Sequence, residues 1–436
     1  MIVIYVEKSS IRVEYILKHL FKNILGCKYS VTDDEKKYLE SPCPAICYAK
    51  NYNGKGIHIV PHGILFEEGT RPVEPEISYW EELPVFFRTQ GEEVPFDIFA
   101  AAFYLVSRYE EYLEKERDKH NRYPAEKSLA FRYGFLDKPV VDYWAMQLRK
   151  ILQDKFPEII FNTPQFFFIP TIDVDNVFAY RHKGLFVNGY HILKDIFTGN
   201  MNRAMYRLSV ILRKQKDPFF NLQKIVSLHH DCGTFPVFFF HCGCYGRYDK
   251  KTFFPSYKYW AARRSISRDF TVGLHPSYRA AFSLLLFKIE RKALEMCTIN
   301  KDVSHNRFHY LRFNLPESYR MLSRERIRHD WSMGYSSHPG FRAGTSFPFN
   351  FYNLNNDRIY KLIIHPFAVM DKTLKSDLNL NTEESQSYIL NLAEKVKAVN
   401  GTFVTVFHNE NLTDAFSWTG WRTMYRSMMK ILHRQR

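Results

Sequence analysis

Four ionisable side chains lie at the ends of apolar, strand-like segments of this sequence. Asp173 and Asp175 end the run FFFIPTIDVD, His275 ends TVGLH and His408 ends TFVTVFH. One residue separates the two aspartates, so on a strand both side chains point to the same side and could share one cation. His275 adds a nitrogen ligand of the kind that zinc or another late first-row metal prefers beside a carboxylate. The pattern predicts a metal-activated water, with the free carboxylate as its base, and hydrolysis of an amide or ester.

A parallel α/β fold would bring these side chains together. From residue 165 onward, strand-like segments alternate with helical ones, which is typical of that architecture. The predicted strands cover 166–173, 236–241, 271–275, 309–313, 330–333, 361–365 and 402–408. Seven strands with helices between them indicate a barrel or an open sheet, and in both the carboxyl ends of the strands form the active face. The ionisable residues at those ends are therefore expected to share one site.

The beginning of the chain has its own strands and helices. We predict an N-terminal α/β accessory domain of unknown role at residues 1–160 and a larger domain at 166–436. Within the first domain, a β-branched strand precedes a helix at 10–24. Asp97 can cap a second helix, whose apolar residues recur at helical spacing and which is predicted to continue through Arg108.

The composition of the chain indicates which kinds of binding partner and which cellular compartment to expect. The chain has 61 lysines and arginines against 46 aspartates and glutamates, a net charge of +15, which favours anionic partners. These basic residues are scattered without the aromatic-basic motif of an RNA-binding sheet, so nucleic acid is not expected. The seven cysteines have no repeated spacing, which indicates reduced thiols in the cytoplasm. Every apolar stretch is far shorter than the roughly 18 to 20 residues of a membrane-spanning helix. Contact with the inner membrane is therefore expected to be peripheral at most.

The motifs around these residues resemble those of the polysaccharide deacetylases, carbohydrate esterase family 4. Asp173-Val-Asp175 follows an apolar strand, His275 follows Val-Gly-Leu and His408 follows Val-Thr-Val-Phe. TIDVDNVFAYRHKG, HYLRFNLPESYR, DWSMGYSSHPGFRAGTSFPF and FHNENL are most similar to a bacterial subgroup with an uncharacterised N-terminal domain. The resemblance covers 166–436 and implies a distorted (β/α) barrel that uses a divalent metal, zinc above all. It also implies removal of N-acetyl or O-acetyl groups from a glycan or a glycan precursor, which the basic charge predicts to be anionic or lipid-linked.

The resemblance also implies a role for each motif residue. The first aspartate of the opening motif is the general base in that family, the second is a metal ligand and the final histidine is the general acid. These roles fall on Asp173, Asp175 and His408.

One departure from the family concerns the metal ligands. The family has a second ligand histidine four residues after the first, whereas Arg279 stands four residues after His275. A guanidinium stays protonated and cannot bind a metal ion. His309 in RFHYLRF is the predicted substitute, and His305, Asp173 or water are alternatives. Without a substitute the barrel would be a non-catalytic glycan-binding or surface-polysaccharide assembly protein.

Other residues are assigned through the same resemblance. Arg307 falls nearest the arginine that orients the base in the family, with Arg312 and Arg342 as alternatives. Trp331 in DWSMGY resembles the aromatic residue beside the acid histidine, and Tyr335 could stack on a sugar. Trp331, Tyr335 and Arg342 are therefore expected to contact substrate, and packing in the core is the alternative for both aromatic rings.

Overall fold

The computed structural model describes residues 1–243, 246–249, 257–299 and 302–434. Its N-terminal part is built on a four-stranded parallel sheet in the order β2-β1-β3-β4. The strands are β1 (Ile2–Val6), β2 (Tyr29–Thr32), β3 (Ala45–Tyr48) and β4 (Ile57–Ile59). β5 (Ser78–Trp80) and β6 (Leu83–Val85) form a separate antiparallel hairpin. The predicted α/β character of this region is therefore present in the structure.

Six helices pack around these strands. They are α1 (Ile11–Leu17), which continues as a π-helix to Ile24, α2 (Glu35–Glu40), α3 (Ile98–Val106), α4 (Tyr109–Leu113), α5 (Leu129–Arg132) and α6 (Val140–Lys155). Asp97 caps α3 as predicted, because its side chain accepts a hydrogen bond from the backbone N–H of Ala100. The prediction that this helix continues through Arg108 is wrong: Arg108 has a left-handed φ of 60°, which ends α3 and starts α4 in a new direction.

The larger part of the chain contains a nine-stranded sheet in the order β12-β13-β11-β10-β9-β8-β7-β15-β14. Its strands are β7 (Phe167–Val174), β8 (Val237–His241), β9 (Thr271–His275), β10 (His305–Asn306), β11 (His329–Asp330), β12 (Phe349–Asn353), β13 (Arg358–Ile364), β14 (Val369–Met370) and β15 (Thr402–His408). Neighbouring strands are parallel except β12 and β13. The described strands pair into an open sheet with β12 and β14 at its edges, so the predicted barrel is not closed.

Two of the predicted strands differ from the structure. The segment 309–313 is not a strand: β10 comes earlier, and His309–Leu311 form a 3₁₀ turn in which Tyr310 has a φ of 59°. That left-handed conformation interrupts the extended chain. The segment 330–333 contributes only its first residue to β11, and the chain then leaves the sheet. β12 and β14 are absent from the sequence prediction.

Helices connect the strands of this sheet. They are α7 (Leu185–Phe197), α8 (Met201–Ile211), α9 (Leu222–Cys232), α10 (Tyr257–Asp269), α11 (Leu284–Glu295), α12 (Glu317–Arg324), α13 (Thr382–Lys397) and α14 (Trp421–Arg434). None of the described helices combines the length and the apolarity that crossing a bilayer requires.

Buried polar contacts join the two parts of the chain. Arg12 Nε donates to Asp357 Oδ1 at 2.8 Å. Glu111 lies between two arginines, Arg342 at 2.7 Å and Arg108 at 2.7 Å, and all three side chains are almost fully buried. These arginines outweigh the burial of Glu111 and lower its pKa to about 2. The N-terminal part and the large sheet therefore share a charged interior as well as apolar contacts.

Replacing Glu111 should show how much this network contributes to the free energy of unfolding. Glu111→Ala leaves two buried guanidinium groups without their shared carboxylate, and the expected loss is about 3–5 kcal/mol in the free energy of unfolding. The contribution of Glu111 should itself be present above its ordinary pKa near 4.5 and fade as the pH falls towards about 2. Urea unfolding at several pH values measures both effects.

The matched control is Glu67→Ala, which removes a surface ion pair with Arg71. Such exposed pairs contribute about 0–1 kcal/mol. An equal, small loss in both variants would show that the buried network contributes no more than a surface pair.

Candidate metal centre and catalytic site

Five of the predicted site residues line one cavity at the carboxyl ends of the parallel strands. The cavity has a volume of about 320 Å³, and the five residues are Asp173, Asp175, His275, His309 and His408. Its wall also contains Arg122 from the N-terminal part. Arg122 Nη1 donates to the backbone carbonyl oxygen of Tyr310 at 2.9 Å. Both parts of the chain therefore shape the same cavity.

Asp175, His275 and His309 form a group suited to one metal ion. His275 Nε2 is 3.1 Å from Asp175 Oδ1, and His309 Nε2 is 3.5 Å from Asp175 Oδ2. One ligand atom from each residue lies within 4.8 Å of the others. Asp175 Oδ1 is buried, yet it accepts no hydrogen bond from the described residues. A cation between these three side chains would satisfy that oxygen, so the residues present fit a metal site.

The Nδ1 atoms of His275 and His309 are both hydrogen-bonded within the protein. His275 Nδ1 donates to the backbone carbonyl oxygen of Arg307 at 2.6 Å, and His309 Nδ1 donates to Asp249 Oδ1 at 3.0 Å. Such contacts fix the tautomer and direct Nε2 of both rings towards the metal position. His241, Asp249 and His309 form a further group of potential ligands. Because His309 Nδ1 is engaged by Asp249, we interpret that group as support for the first one.

The electrostatic environment of this group attracts positive charge. Burial disfavours a charged His309, but the carboxylates of Asp175 and Asp249 outweigh it and raise the His309 pKa to about 9. Burial opposes the charged form of Asp175 as well, yet His309 and His275 hold the pKa of that carboxyl well below its usual range. The carboxylates of Asp175 and Asp249 thus face the imidazoles, and their negative charge would also stabilise a bound divalent cation.

Asp173 lies beside this group and is held by an arginine. Arg307 is completely buried, and its Nη1 donates to Asp173 Oδ1 at 2.9 Å and to Thr171 Oγ1 at 2.6 Å. Of the three arginines considered from the sequence, Arg307 is the one in contact with Asp173. Arg312 instead lies over the ring of Tyr278, and Arg342 pairs with Glu111.

His408 faces the same cavity and is paired with a carboxylate that the sequence analysis did not identify. His408 Nδ1 donates to Asp371 Oδ1 at 2.7 Å, and the backbone N–H of His408 donates to Asp371 Oδ2 at 2.8 Å. Burial lowers the pKa of this imidazole, but Asp371 and then the carboxylates of Asp175 and Asp173 outweigh burial and raise the pKa to about 10. These carboxylates therefore favour the protonated form of the His408 imidazole.

Asp371→Asn should remove the negative charge that stabilises the His408 imidazolium. The amide oxygen can still accept a hydrogen bond from His408 Nδ1, but the amide NH2 cannot accept the bonds that the backbone N–H of His408 and Asn411 Nδ2 now donate to Oδ2. The His408 pKa should fall by about one to three units, so the alkaline limb of the pH–rate profile should move to lower pH. The control is Asp137→Asn, whose carboxylate pairs with Lys395 and is not part of the cavity lining. An unmoved alkaline limb would contradict His408 as the titrating acid.

The three residues predicted to contact substrate lie outside the cavity lining. Trp331 is 3% exposed, stacks on His365 at 4.0 Å and donates through Nε1 to His305 Nδ1. Tyr335 and Arg342 are buried in the ion network that joins the two parts of the chain. Their polar groups are engaged there because a buried charge needs a partner. The structure thus places all three side chains in the interior, outside the cavity lining, and their contact with substrate stays a prediction.

Several residues at the site were not among the predicted ones. Asp371 follows β14, a strand of only two residues, which is too short to leave a periodic signal. His241 ends β8, so the strand-end criterion that selected His275 also applies to it. Asp249 lies in a loop and has no such signal. Tyr310 and Trp418 add aromatic rings to the wall.

Comparison with known proteins gives limited information. A family of unknown function (DUF7033) matches residues 2–157. A search of curated proteins found no match. Among solved structures, the chain is similar to a crystal structure from Mycobacterium smegmatis provisionally described as a polysaccharide deacetylase. The identity is 11%, the TM-score is 0.36, and the match covers 61% of this chain and 84% of that chain. A likeness this weak shows no function.

Proposed function

We propose that this protein is a metal-dependent carbohydrate deacetylase that removes N-acetyl or O-acetyl groups from a glycan or a glycan precursor. One observation carries the proposal. The group Asp175, His275 and His309 shares a cavity with a carboxylate held by Arg307 and with an imidazole held by Asp371. A cation site with a base on one side and an acid on the other is the arrangement that hydrolysis of an acetyl amide or ester requires.

Asp175, His275 and His309 would hold the divalent cation. One carboxylate oxygen and two imidazole nitrogens, with further positions left for water or substrate, suit zinc in a catalytic site. Such a cation supplies Lewis-acid chemistry and lowers the pKa of a water molecule.

The remaining side chains of the cavity would move the protons. Asp173 accepts the proton of the attacking water, while Arg307 fixes the orientation of that carboxylate through Oδ1. His408 donates a proton to the departing sugar nitrogen or oxygen, and Asp371 keeps His408 protonated until that step. An amine leaves poorly unless it is protonated, so the acid matters most for an N-acetyl substrate.

The wall of the cavity favours an anionic carbohydrate. The rings of Tyr310 and Trp418 line it together with Arg122 and Lys372. Aromatic faces offer flat apolar surfaces to sugar rings. Lys372 would attract phosphate or carboxylate substituents, whereas the charge of Arg122 is already paired with Asp118. The net charge of +15 acts in the same direction over longer distances.

The test combines metal analysis of the purified full chain with acetate release from an N-acetylglucosamine oligomer and from an aryl acetate. We expect about one zinc per chain, acetate release that stops after chelation, and recovery when zinc is added back. Glycan binding without metal or acetate release would contradict the proposal and support the non-catalytic alternative.

A further inference from the structure

Helix α7 presents its apolar side to solvent. Phe186, Tyr190, Leu193 and Phe197 recur at the spacing i, i+4, i+7 and i+11, which places them in one stripe along the helix. These four side chains are between 57% and 95% exposed. A stripe of this kind normally faces the core. In α7 it faces outward.

Helix α8 repeats the arrangement. Met201, Met205 and Leu208, continued by Leu212 at the end of the helix, have the same i, i+4, i+7 and i+11 spacing and are 40% to 60% exposed. A three-residue connection joins α8 to α7, and the two helices contact each other. We call the eight exposed side chains of these two stripes the outer apolar face.

The inward side of the helix pair is polar. Asp195 of α7 forms an ion pair with Arg207 of α8 at 3.1 Å, and both side chains are buried. Asn188 donates to the backbone carbonyl oxygen of Tyr180 at 2.9 Å. The ion pair joins the two helices to each other, and the hydrogen bond of Asn188 joins α7 to the segment before it.

Exposed basic residues lie beside the outer apolar face and at the end of α8. They are Lys194, Arg213, Lys214 and Lys216, whereas Arg203 pairs with the inward-facing Asp195 at 3.8 Å. The acidic side chain within 185–216 is Asp195, and it is buried against Arg207. The surface of this segment is thus apolar in the middle and cationic beside it.

We propose that the α7–α8 pair docks on an anionic lipid membrane surface, with the outer apolar face in the headgroup and acyl boundary. Helices with aromatic, leucine and methionine side chains on one face and Lys or Arg beside it lie in that interface without spanning the bilayer. The basic residues beside that face match the negative charge of anionic lipids. A second copy of this chain fits less well, because pairing two such faces would bring two groups of basic residues together.

Docking would place the cavity next to the membrane. The ring of Tyr206 on α8 is 6.0 Å from the ring of Phe416, which is itself exposed, and Trp418 close by lines the cavity. Lys183, just before α7, donates to Asn176, another cavity residue. The apolar surface thus leads from the helices towards the site. Membrane docking does not depend on the proposed deacetylase activity.

Vesicle co-sedimentation of the full chain tests the inference. We expect binding to vesicles of phosphatidylcholine with 30% phosphatidylglycerol, weaker binding to pure phosphatidylcholine, and release by salt. Phe186→Ser with Phe197→Ser should reduce the partition coefficient about tenfold or more. Arg213→Gln, Lys214→Gln and Lys216→Gln should each reduce the partition coefficient about fivefold, and on anionic vesicles alone.

The matched control replaces two exposed apolar residues elsewhere, Tyr79→Ser and Ile160→Ser, and should bind vesicles like the original chain. Acetate release from a soluble substrate should be unchanged in both double variants, so a failed deacetylase assay and a failed vesicle assay remain distinguishable. Equal binding by both double variants, or no binding to anionic vesicles, would overturn the inference. A dimer in light scattering that Phe186→Ser with Phe197→Ser abolishes would overturn it in favour of a second copy.

Discussion

Asp173→Asn is expected to retain the metal content of the original chain while kcat for acetate release falls about 10²- to 10⁴-fold. Asp173 is held by Arg307 and lies 3.9 Å from His275 Nε2, so it stands beside the metal group without being one of its three members. The amide of Asn can still accept a hydrogen bond from Arg307 but cannot accept a proton from water. Metal analysis and steady-state kinetics on the same preparation measure the two effects.

The comparison variant is Asp175→Asn, which should lose metal and activity together. Both variants also need a melting temperature, because Asp173→Asn leaves Arg307 buried without a negative partner and should lower stability. Equal metal loss in the two variants would contradict the assignment of Asp173 as the base and Asp175 as a metal ligand.

His309→Ala is the second variant with a large expected effect, because His309 would replace the ligand that Arg279 cannot provide. Two of the three ligands would remain, and metal binding and activity should both be lost. Asp249→Asn should be intermediate, since removal of a carboxylate that orients a ligand histidine typically weakens metal affinity about 10- to 100-fold. Titration with zinc in a competing chelator measures the affinity of each variant.

Arg279→Ala serves as the control, because Arg279 follows β9 with its side chain exposed and should not alter metal affinity. If His309→Ala kept its metal, another residue would have to complete the site.

Strand ends leave a local signal in the sequence, and the structure brings the residues at three such ends to one cavity. Asp173, His275 and His408, where apolar runs stop, all line it, and their catalytic roles stay predictions. His309 was identified as a ligand candidate although its segment was wrongly predicted as a strand. The criterion fails at Asp371, where a two-residue strand leaves no pattern.

Long-range pairing explains the other differences. Arg342 and Tyr335 were expected near substrate, but their partners, Glu111 and Arg108, come more than two hundred residues earlier in the chain. No local sequence pattern predicts a contact between residues so far apart in the chain. The stripe on α7 shows a similar limit, since periodicity reveals an amphipathic helix without revealing which way its apolar side faces.

The shared cavity wall has a consequence for expressing the larger part of the chain alone. Arg122 of the N-terminal part contacts the backbone beside His309, and Arg342 of the large sheet depends on Glu111. A fragment that begins at residue 166 would therefore carry an uncompensated interior charge and an open flank at its substrate cavity. A chimera with a different N-terminal part would have to supply residues that replace Arg122 and Glu111. Exchanging the N-terminal part would therefore change both the buried ion network and the wall of the cavity.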